Sequence, residues 1–302
     1  FNYIGVGLMT IKPNITANLA QELIGQQFPE LAHLSIKPVE FGGHDNRTFH
    51  LGGKMLVRLP SAEQYAAKVA KEQKWLPILS SHLSLPIPKP LHLGHPSEIY
   101  PWNWSIYNWI EGDGANALDL NDLELQQLAI DLAKFLGELQ EIDITGAPVP
   151  GPHNFLRGAS PKVYTQESLI AIQALSDLID TNIARDIWER AISSKWEKDP
   201  VWIHGDLTTG NILIKNRKLT AVIDFSGICV GDPACDLVIA WNSFTTEARQ
   251  IFKDNLGLDA DTWYRAQGWA LWKAMITLAS LEDKSSLEAV KQLQIINEVI
   301  ND

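Results

Sequence analysis

The stretch Ile203–Ile214, IHGDLTTGNILI, sets His204, Gly205, Asp206 and Asn211 between apolar runs. A buried strand has no reason to be broken this way, because each polar group taken out of water needs a partner or a task. A second interruption follows in AVIDFSG, where Asp224 comes directly after three apolar residues. The apolar runs NILI and LTAVID flank the turn-forming KNRK. That arrangement predicts a hairpin whose open end brings Asn211 and Asp224 together. Asp206 precedes the hairpin on a loop containing Gly205 and Gly210. A carboxylate, an amide oxygen and a second carboxylate therefore converge.

Mg²⁺ takes hard oxygen ligands and keeps room for nucleotide phosphates, so Asn211 and Asp224 suit it. Asp206 is then left to accept a proton from an attacking hydroxyl. This is the division of labour in protein kinases: a catalytic Asp, a metal-binding Asn shortly after it, and a second metal-binding Asp. Either acid alone reads as a turn former at a strand end. The ordered set of His-Gly-Asp, Asn, hairpin and Ile-Asp-Phe carries the chemical reading.

The segments HGDLTTGN and AVIDFSGICVGDPACDL resemble the aminoglycoside phosphotransferase family of kinase-like enzymes, whose loop reads His-Gly-Asp where protein kinases have His-Arg-Asp. EFGGHDNRTFHLGGKMLVRLP, KEQKWLP, YPWNWSIYNWIEGD and QGWALWKAMITLA are similar to further landmarks of that family, so the resemblance runs from about residue 33 to 281. It implies an α+β, two-lobed protein-kinase-like fold, with a small β-sheet N-terminal lobe (1–108) and a mostly helical C-terminal lobe (109–302). It also implies Asp206 as catalytic base, Asn211 and Asp224 as Mg²⁺ ligands, His204 as a loop-packing residue, and Asp236 as the aspartate that ties down the catalytic loop. Asp232 either shares that task or starts the next helix ahead of Pro233.

On the nucleotide side, Arg58 stands in KMLVRLP where protein kinases carry a strand Lys, and Glu72 on the following helix is its natural partner. An Arg fork can hold a carboxylate and a phosphate. Lys54, beside the Gly52-Gly53 turn, is the other phosphate candidate. FGGHDNRTF departs from GxGxxG, yet Gly42 and Gly43, with Asn46 nearby, can let the backbone approach phosphates. Asn108, Trp109 and Ile110 resemble the linker whose main chain reads the base of ATP or GTP. DFSG departs from Asp-Phe-Gly, placing Gly227 one position late.

Seven residues separate Asp224 from Asp232, which leaves no platform for a peptide and favours a small hydroxyl-bearing acceptor. The family includes kinases of aminoglycosides, macrolides, choline, homoserine and methylthioribose, and the fold alone does not choose among them. A cationic acceptor would suit acidic side chains such as Glu247, Asp254, Asp259, Asp261, Glu282 and Asp283, with Trp263 and Tyr264 as walls. The alternatives are a nucleotide-binding pseudoenzyme or sensor of the same fold, a kinase of a choline- or amino-alcohol-like metabolite, and a metallohydrolase using His204 and the two aspartates, which needs further histidines near the metal, His153 and His44 being far off in the chain.

Composition agrees with a folded enzyme and disfavours other classes. The 302 residues are 45% hydrophobic and 20% charged, and the net charge of −11 argues against nucleic acid, which is bound by Lys and Arg. Cys229 and Cys235 are too few for a disulfide scaffold and lack zinc spacing, which fits a reducing cytoplasm. No apolar run approaches the ~20 residues of a membrane span. The start has no secretory pattern, and Met9 reads as a natural first residue, which would make residues 1–8 an appended leader. Apolar spacing predicts helices over 14–28, 62–79, 166–196, 233–256, 260–281 and 284–299, and a stripe from Leu125 to Leu139; after Gly114 only Val201–Phe225 interrupts the helices with strand-like runs, and residues 48–51 and 55–59 predict a hairpin.

Overall fold

A computed structural model describes residues 13–40, 43 and 45–302. They form two compact units. The first comprises the chain up to Pro77 together with Pro88–Ile110; the second comprises Ile78–Ile87 and Glu111–Asp302. The division is therefore not a single cut in the sequence. It falls at Pro77, which removes a main-chain donor inside a helix.

The first unit opens with α1 (Ala17–Gln27), whose cap Thr16 accepts from the Leu19 N–H. Strands β1 (Ile36–Pro38), β2 (Asn46–Leu51) and β3 (Met55–Pro60) precede α2 (Glu63–Ser80), and β4 (Pro90–Gly94) and β5 (Trp104–Asn108) follow it. The antiparallel sheet has the order β1-β2-β3-β5-β4. In β3 the alternation of a strand sends Val57 and Leu59 into a core shared with Leu23, Ile24, Phe49, Trp104 and Ile106, and leaves Arg58 on the other face. Each such apolar side chain contributes about 1.5–3 kcal/mol by leaving water. Gly94 has a packing reason: a Cβ there would lie 1.9 Å from the Trp104 ring.

The second unit contains β6 (Asp113–Gly114), α3 (Asp122–Gln140), α4 (Thr165–Ala174), α5 (Thr181–Ser193), β7 (Val201–Ile203), β8 (Ile212–Lys215), β9 (Lys218–Val222) and β10 (Cys229–Gly231). It continues with α6 (Ile239–Asn242), α7 (Thr246–Leu256), α8 (Ala260–Ser280) and α9 (Leu287–Ile300). A capping box between Asn121 and Glu124 starts α3, which buries Leu128, Leu132, Leu136 and Leu139. α8 is buried almost all round and packs on α4, α5 and α9. No helix among the described residues is long and apolar enough to cross a membrane.

Three expectations need correction. The helix expected over 166–196 is two helices: the chain leaves α4 at Leu175, and the Asp180 carboxylate restarts it by accepting from the N–H groups of Asn182 and Ile183. The helix expected over 233–256 is three pieces. A 3₁₀ segment Pro233–Val238 runs into α6, and the Thr245 cap then begins α7. A strand also lies beyond Val201–Phe225, since β10 pairs with β7, while β6 pairs with β8.

Candidate active site

In the second unit, β8 and β9 form the hairpin predicted around KNRK, with Ile212 opposite Val222. Its turn residues Asn216 and Arg217 both have positive φ, 52° and 63°, the geometry that suits the twist of a two-residue hairpin. Asn accepts that conformation readily. Arg217 is held in it by its pair with Glu124 and by a 2.8 Å bond to the Asp119 carbonyl.

The open end carries the polar residues. The Asn211 carbonyl accepts from the Ile223 N–H at 2.8 Å, which fixes Asn211 beside the residue preceding Asp224. Asn211 Nδ2 donates to the Asp206 carbonyl at 2.9 Å and lies 3.4 Å from Asp206 Oδ2. With its NH₂ turned to Asp206, Asn211 presents its amide oxygen as the group open to a cation. Asp206 is exposed, whereas Asn211 and Asp224 are half-buried. Asp224 itself is left-handed at φ 61°, a conformation costing a non-glycine residue about 1–3 kcal/mol.

Beneath these groups the main chain is tied down on several sides. His204 is fully buried. Its Nδ1 accepts from the Asp206 N–H at 3.2 Å and its Nε2 faces the Ile223 carbonyl at 3.0 Å. An acceptor at Nδ1 and a carbonyl at Nε2 together specify the neutral Nε2–H tautomer. Both nitrogens are thereby occupied, so His204 has no lone pair for a metal or a substrate, and the metallohydrolase reading loses its central ligand. The Asp236 carboxylate accepts from the His204 and Gly205 N–H groups at 2.6 and 2.8 Å. Burial pushes the Asp236 carboxyl above the usual range, while the hydrogen bonds from those two N–H groups pull it back.

Sequence reasoning missed two members of this support. Gly205 (φ 82°) and Gly227 meet face to face: a Cβ on Gly205 would lie 2.5 Å from the Gly227 carbonyl oxygen. The late glycine of DFSG thus lets the two loops touch. Asn154 Nδ2 donates to the Gly227 carbonyl at 3.2 Å and to the Arg157 carbonyl at 3.1 Å, and nothing local in the sequence signals either contact. Gly205→Ala should cost about 1–3 kcal/mol from backbone strain alone and also displace the loop that carries Asp206. Denaturation and turnover measured on the same variant should fall together; an active variant of native stability would show that the loops can part without consequence.

In the first unit, Arg58 Nη1 donates to Glu72 Oε1 at 3.2 Å, with Glu72 buried and Arg58 half-buried. Tyr107 was not foreseen: its hydroxyl hydrogen-bonds the other Glu72 oxygen, and burial with the Glu72 charge pushes the phenol well up. Lys54 is exposed on its turn. Gly42 and His44 lie outside the described residues. A Cβ on Gly43 would meet no described residue within 4 Å. Asn46 begins β2 opposite Pro60. The N–H groups of Asn108 and Trp109 are committed to the carbonyls of Lys89 and Lys54 at 3.2 and 2.7 Å. That of Ile110 donates to no described residue.

The acidic side chains expected to meet a cationic acceptor are in part committed elsewhere. Asp259 caps α8 and pairs with Lys198, Asp254 accepts from Gln250, and Asp283 caps the turn at Ser285. Trp263 packs edge-on against Trp241 and Phe252, and Tyr264 lies under Arg190.

The sequence model of the phosphotransferase enzyme family (APH) matches residues 35–273. The chain belongs to that family. Among curated proteins none matches it significantly. Among solved structures, the GDP complex of wild-type aminoglycoside 2'-phosphotransferase-IIIa is similar at 21% identity and TM-score 0.69, covering 95% of this chain and 99% of the other. Macrolide 2'-phosphotransferase MphH from Brachybacterium faecium is similar at 18% identity and TM-score 0.62, covering 93% and 97%. A mutant of aminoglycoside phosphotransferase APH(4)-Ia with AMP-PNP and hygromycin B gives 18% identity and TM-score 0.60 over 94% and 98%. The fold is thus the two-lobed, kinase-like α+β fold of these phosphotransferases, and this phosphotransferase-family chain is an enzyme.

Proposed function

We propose that the enzyme transfers the γ-phosphoryl group of ATP or GTP to a hydroxyl of a small molecule. The observation that carries this is the Asp206–Asn211 contact at the open end of the hairpin, which leaves an exposed carboxylate beside an amide oxygen and Asp224. The acceptor oxygen bonds to the γ-phosphorus as the bond to the nucleoside diphosphate breaks, and the hydroxyl proton passes to Asp206. Asn211 Oδ1 and the Asp224 carboxylate are the residues that would hold Mg²⁺. The chemistry such an ion would supply is charge neutralisation of the nucleotide phosphates. Arg58, aimed by Glu72, is the candidate cation for the phosphates, and the Ile110 N–H is the candidate donor to the base. His204 and Asp236 act by holding the Asp206 loop.

The pseudoenzyme alternative has less support, because Asp206, Asn211 and Asp224 are all present. Aminoglycosides and macrolides enter as candidate acceptors because relatives are named for them. The deciding experiment measures Mg²⁺-dependent consumption of ATP and of GTP against aminoglycosides, macrolides, choline and other alcohols, with and without acceptor. Acceptor-dependent turnover supports the reading. Failure to bind either nucleotide would overturn it.

A further inference from the structure

Arg157 lies in a loop without regular structure beyond a 3₁₀ turn, yet it is one of the best-anchored cations near Asp206. Its carbonyl accepts from Asn154 Nδ2 at 3.1 Å and from the Cys229 thiol at 3.2 Å. The same Asn154 amide reaches Gly227, which packs on Gly205. The next carbonyl, of Gly158, accepts from the Asp232 N–H at 2.8 Å. The Arg157 main chain is therefore fixed to the loops that position Asp206 and Asp224.

The side chain is fixed as well. The guanidinium carbon sits 4.9 Å from the Trp269 ring centre and 5.1 Å from that of Trp272. Trp272 is itself held, stacked on Tyr164 at 4.0 Å and donating to Glu167 at 3.1 Å. These faces stabilise a cation and restrict its rotation. Nevertheless Nη1 is shut off from solvent and bonds to no described residue. Arg157 makes no ion pair with a described carboxylate, whereas Arg58, Arg217, Arg249 and Arg265 each do. An N–H of a half-buried guanidinium shut off from water without an acceptor is unfavourable, and an anion drawn to the same group offsets that.

Between Trp269 and Trp272 and the end of α8 stands Lys273, also without an ion pair among the described residues, its surface still reached by solvent. Its surroundings and the neighbouring Arg157 charge push the ammonium below its usual range, while Asp206 pulls it up. Lys273 thus lies within electrostatic reach of both Arg157 and Asp206.

We propose that Arg157 and Lys273 form an anion subsite beside Asp206, so that the acceptor is an alcohol carrying a carboxylate or phosphate group rather than a polycation. This rests on the phosphotransfer reading above and narrows its acceptor. The Arg157 guanidinium attracts the anionic oxygens through charge-assisted hydrogen bonding, and the exposed Lys273 ammonium adds a second positive charge. A hydroxyl near the anionic group then faces Asp206, which explains why a net negative enzyme places unpaired cations beside its base.

The test titrates glycerate, glycerol 3-phosphate, glycerol and kanamycin into the full chain by calorimetry, with and without Mg²⁺ and AMP-PNP, and follows Trp fluorescence in parallel. The expected result is binding of glycerate, glycerol 3-phosphate or both, with glycerol and kanamycin silent. A preference between the two anions assigns carboxylate or phosphate. Arg157→Met and Lys273→Met should each weaken the bound anion by about 10- to 100-fold, the range of a charge-assisted hydrogen bond. Lys291→Met, an exposed charge on α9, should leave it unchanged, and Arg157→Lys should recover part of the loss. Silence of both anions, equal loss in Lys291→Met, or turnover of kanamycin undiminished in Lys273→Met would overturn the subsite. So would a loss confined to nucleotide affinity. Failure of AMP-PNP to bind would instead overturn the phosphotransfer reading, and the titration without nucleotide would still judge Arg157 and Lys273.

Discussion

Asp206→Asn should lower acceptor-dependent turnover by about 10²- to 10⁴-fold, the usual contribution of a positioned base, while nucleotide affinity stays near that of the native enzyme. The substitution keeps the size of the side chain and removes its ability to take a proton. The loop should survive it, because what holds the loop is main chain. Asn211 bonds the Asp206 carbonyl, His204 bonds its N–H, and Asp236 bonds the two N–H groups before it. Turnover with saturating acceptor, read beside nucleotide binding by calorimetry, separates the outcomes. Loss of both together would make Asp206 a structural residue, and retained turnover would place the base elsewhere. His204→Gln gives the contrast: with both ring nitrogens engaged, its loss should act through stability and loop position, and the pH profile of the remaining activity should keep its shape.

Hairpin, catalytic loop and lobe character were legible because each rests on local patterning. NILI, KNRK and LTAVID specify strand, turn and strand by residues that touch one another in sequence. The breaks at Leu175 and Ser243 were also written locally, in the caps Asp180 and Thr245, but continuous apolar spacing on either side masks them. What stayed hidden depends on contacts between distant residues. Gly227 looks like a misplaced glycine until it is seen against Gly205. Tyr107 looks like a core aromatic until its hydroxyl is seen on Glu72. Arg157 carries no motif, and its meaning comes from Trp269, Trp272 and Lys273, more than a hundred positions further along. The acidic residues suggested for the acceptor show the converse: a capping Asp and a ligand-binding Asp look alike in sequence, and Asp259 and Asp283 are caps.

Asp232 is the second place where the largest effect is expected, on stability. Its carboxylate is buried with the Arg265 guanidinium, Oδ2 to Nε at 2.6 Å and Oδ1 to Nη2 at 3.4 Å, the exposed fractions being 4% and 1%. Arg265 is completed by Ser194 and Thr262, each at 3.0 Å. Asp232 also accepts from the Ala234 N–H at 3.1 Å, capping the 3₁₀ segment that contains Asp236. Arg265→Met therefore leaves a buried carboxylate without its counter-charge, a change that costs about 3–5 kcal/mol. The urea midpoint followed by Trp fluorescence should fall accordingly. The pH dependence has a definite sign. Burial already raises the Asp232 carboxyl above its unfolded value, and Arg265 is the chief opposing charge. Without Arg265 the folded-state value rises further, so the folded variant binds a proton that the unfolded chain releases. Its stability deficit relative to the native chain must then grow as pH rises from the native folded-state value through the higher value of the variant, and shrink in more acid solution. Asp232→Asn combined with Arg265→Met keeps the cap and removes the charge, and should recover part of the loss as a positive coupling in the double-mutant cycle. A deficit independent of pH and additive in the double variant would mean that Arg265 stabilises by packing alone. In that case the turn before Asp236 is held by its cap and core contacts, and the pair is not what keeps the catalytic loop in place.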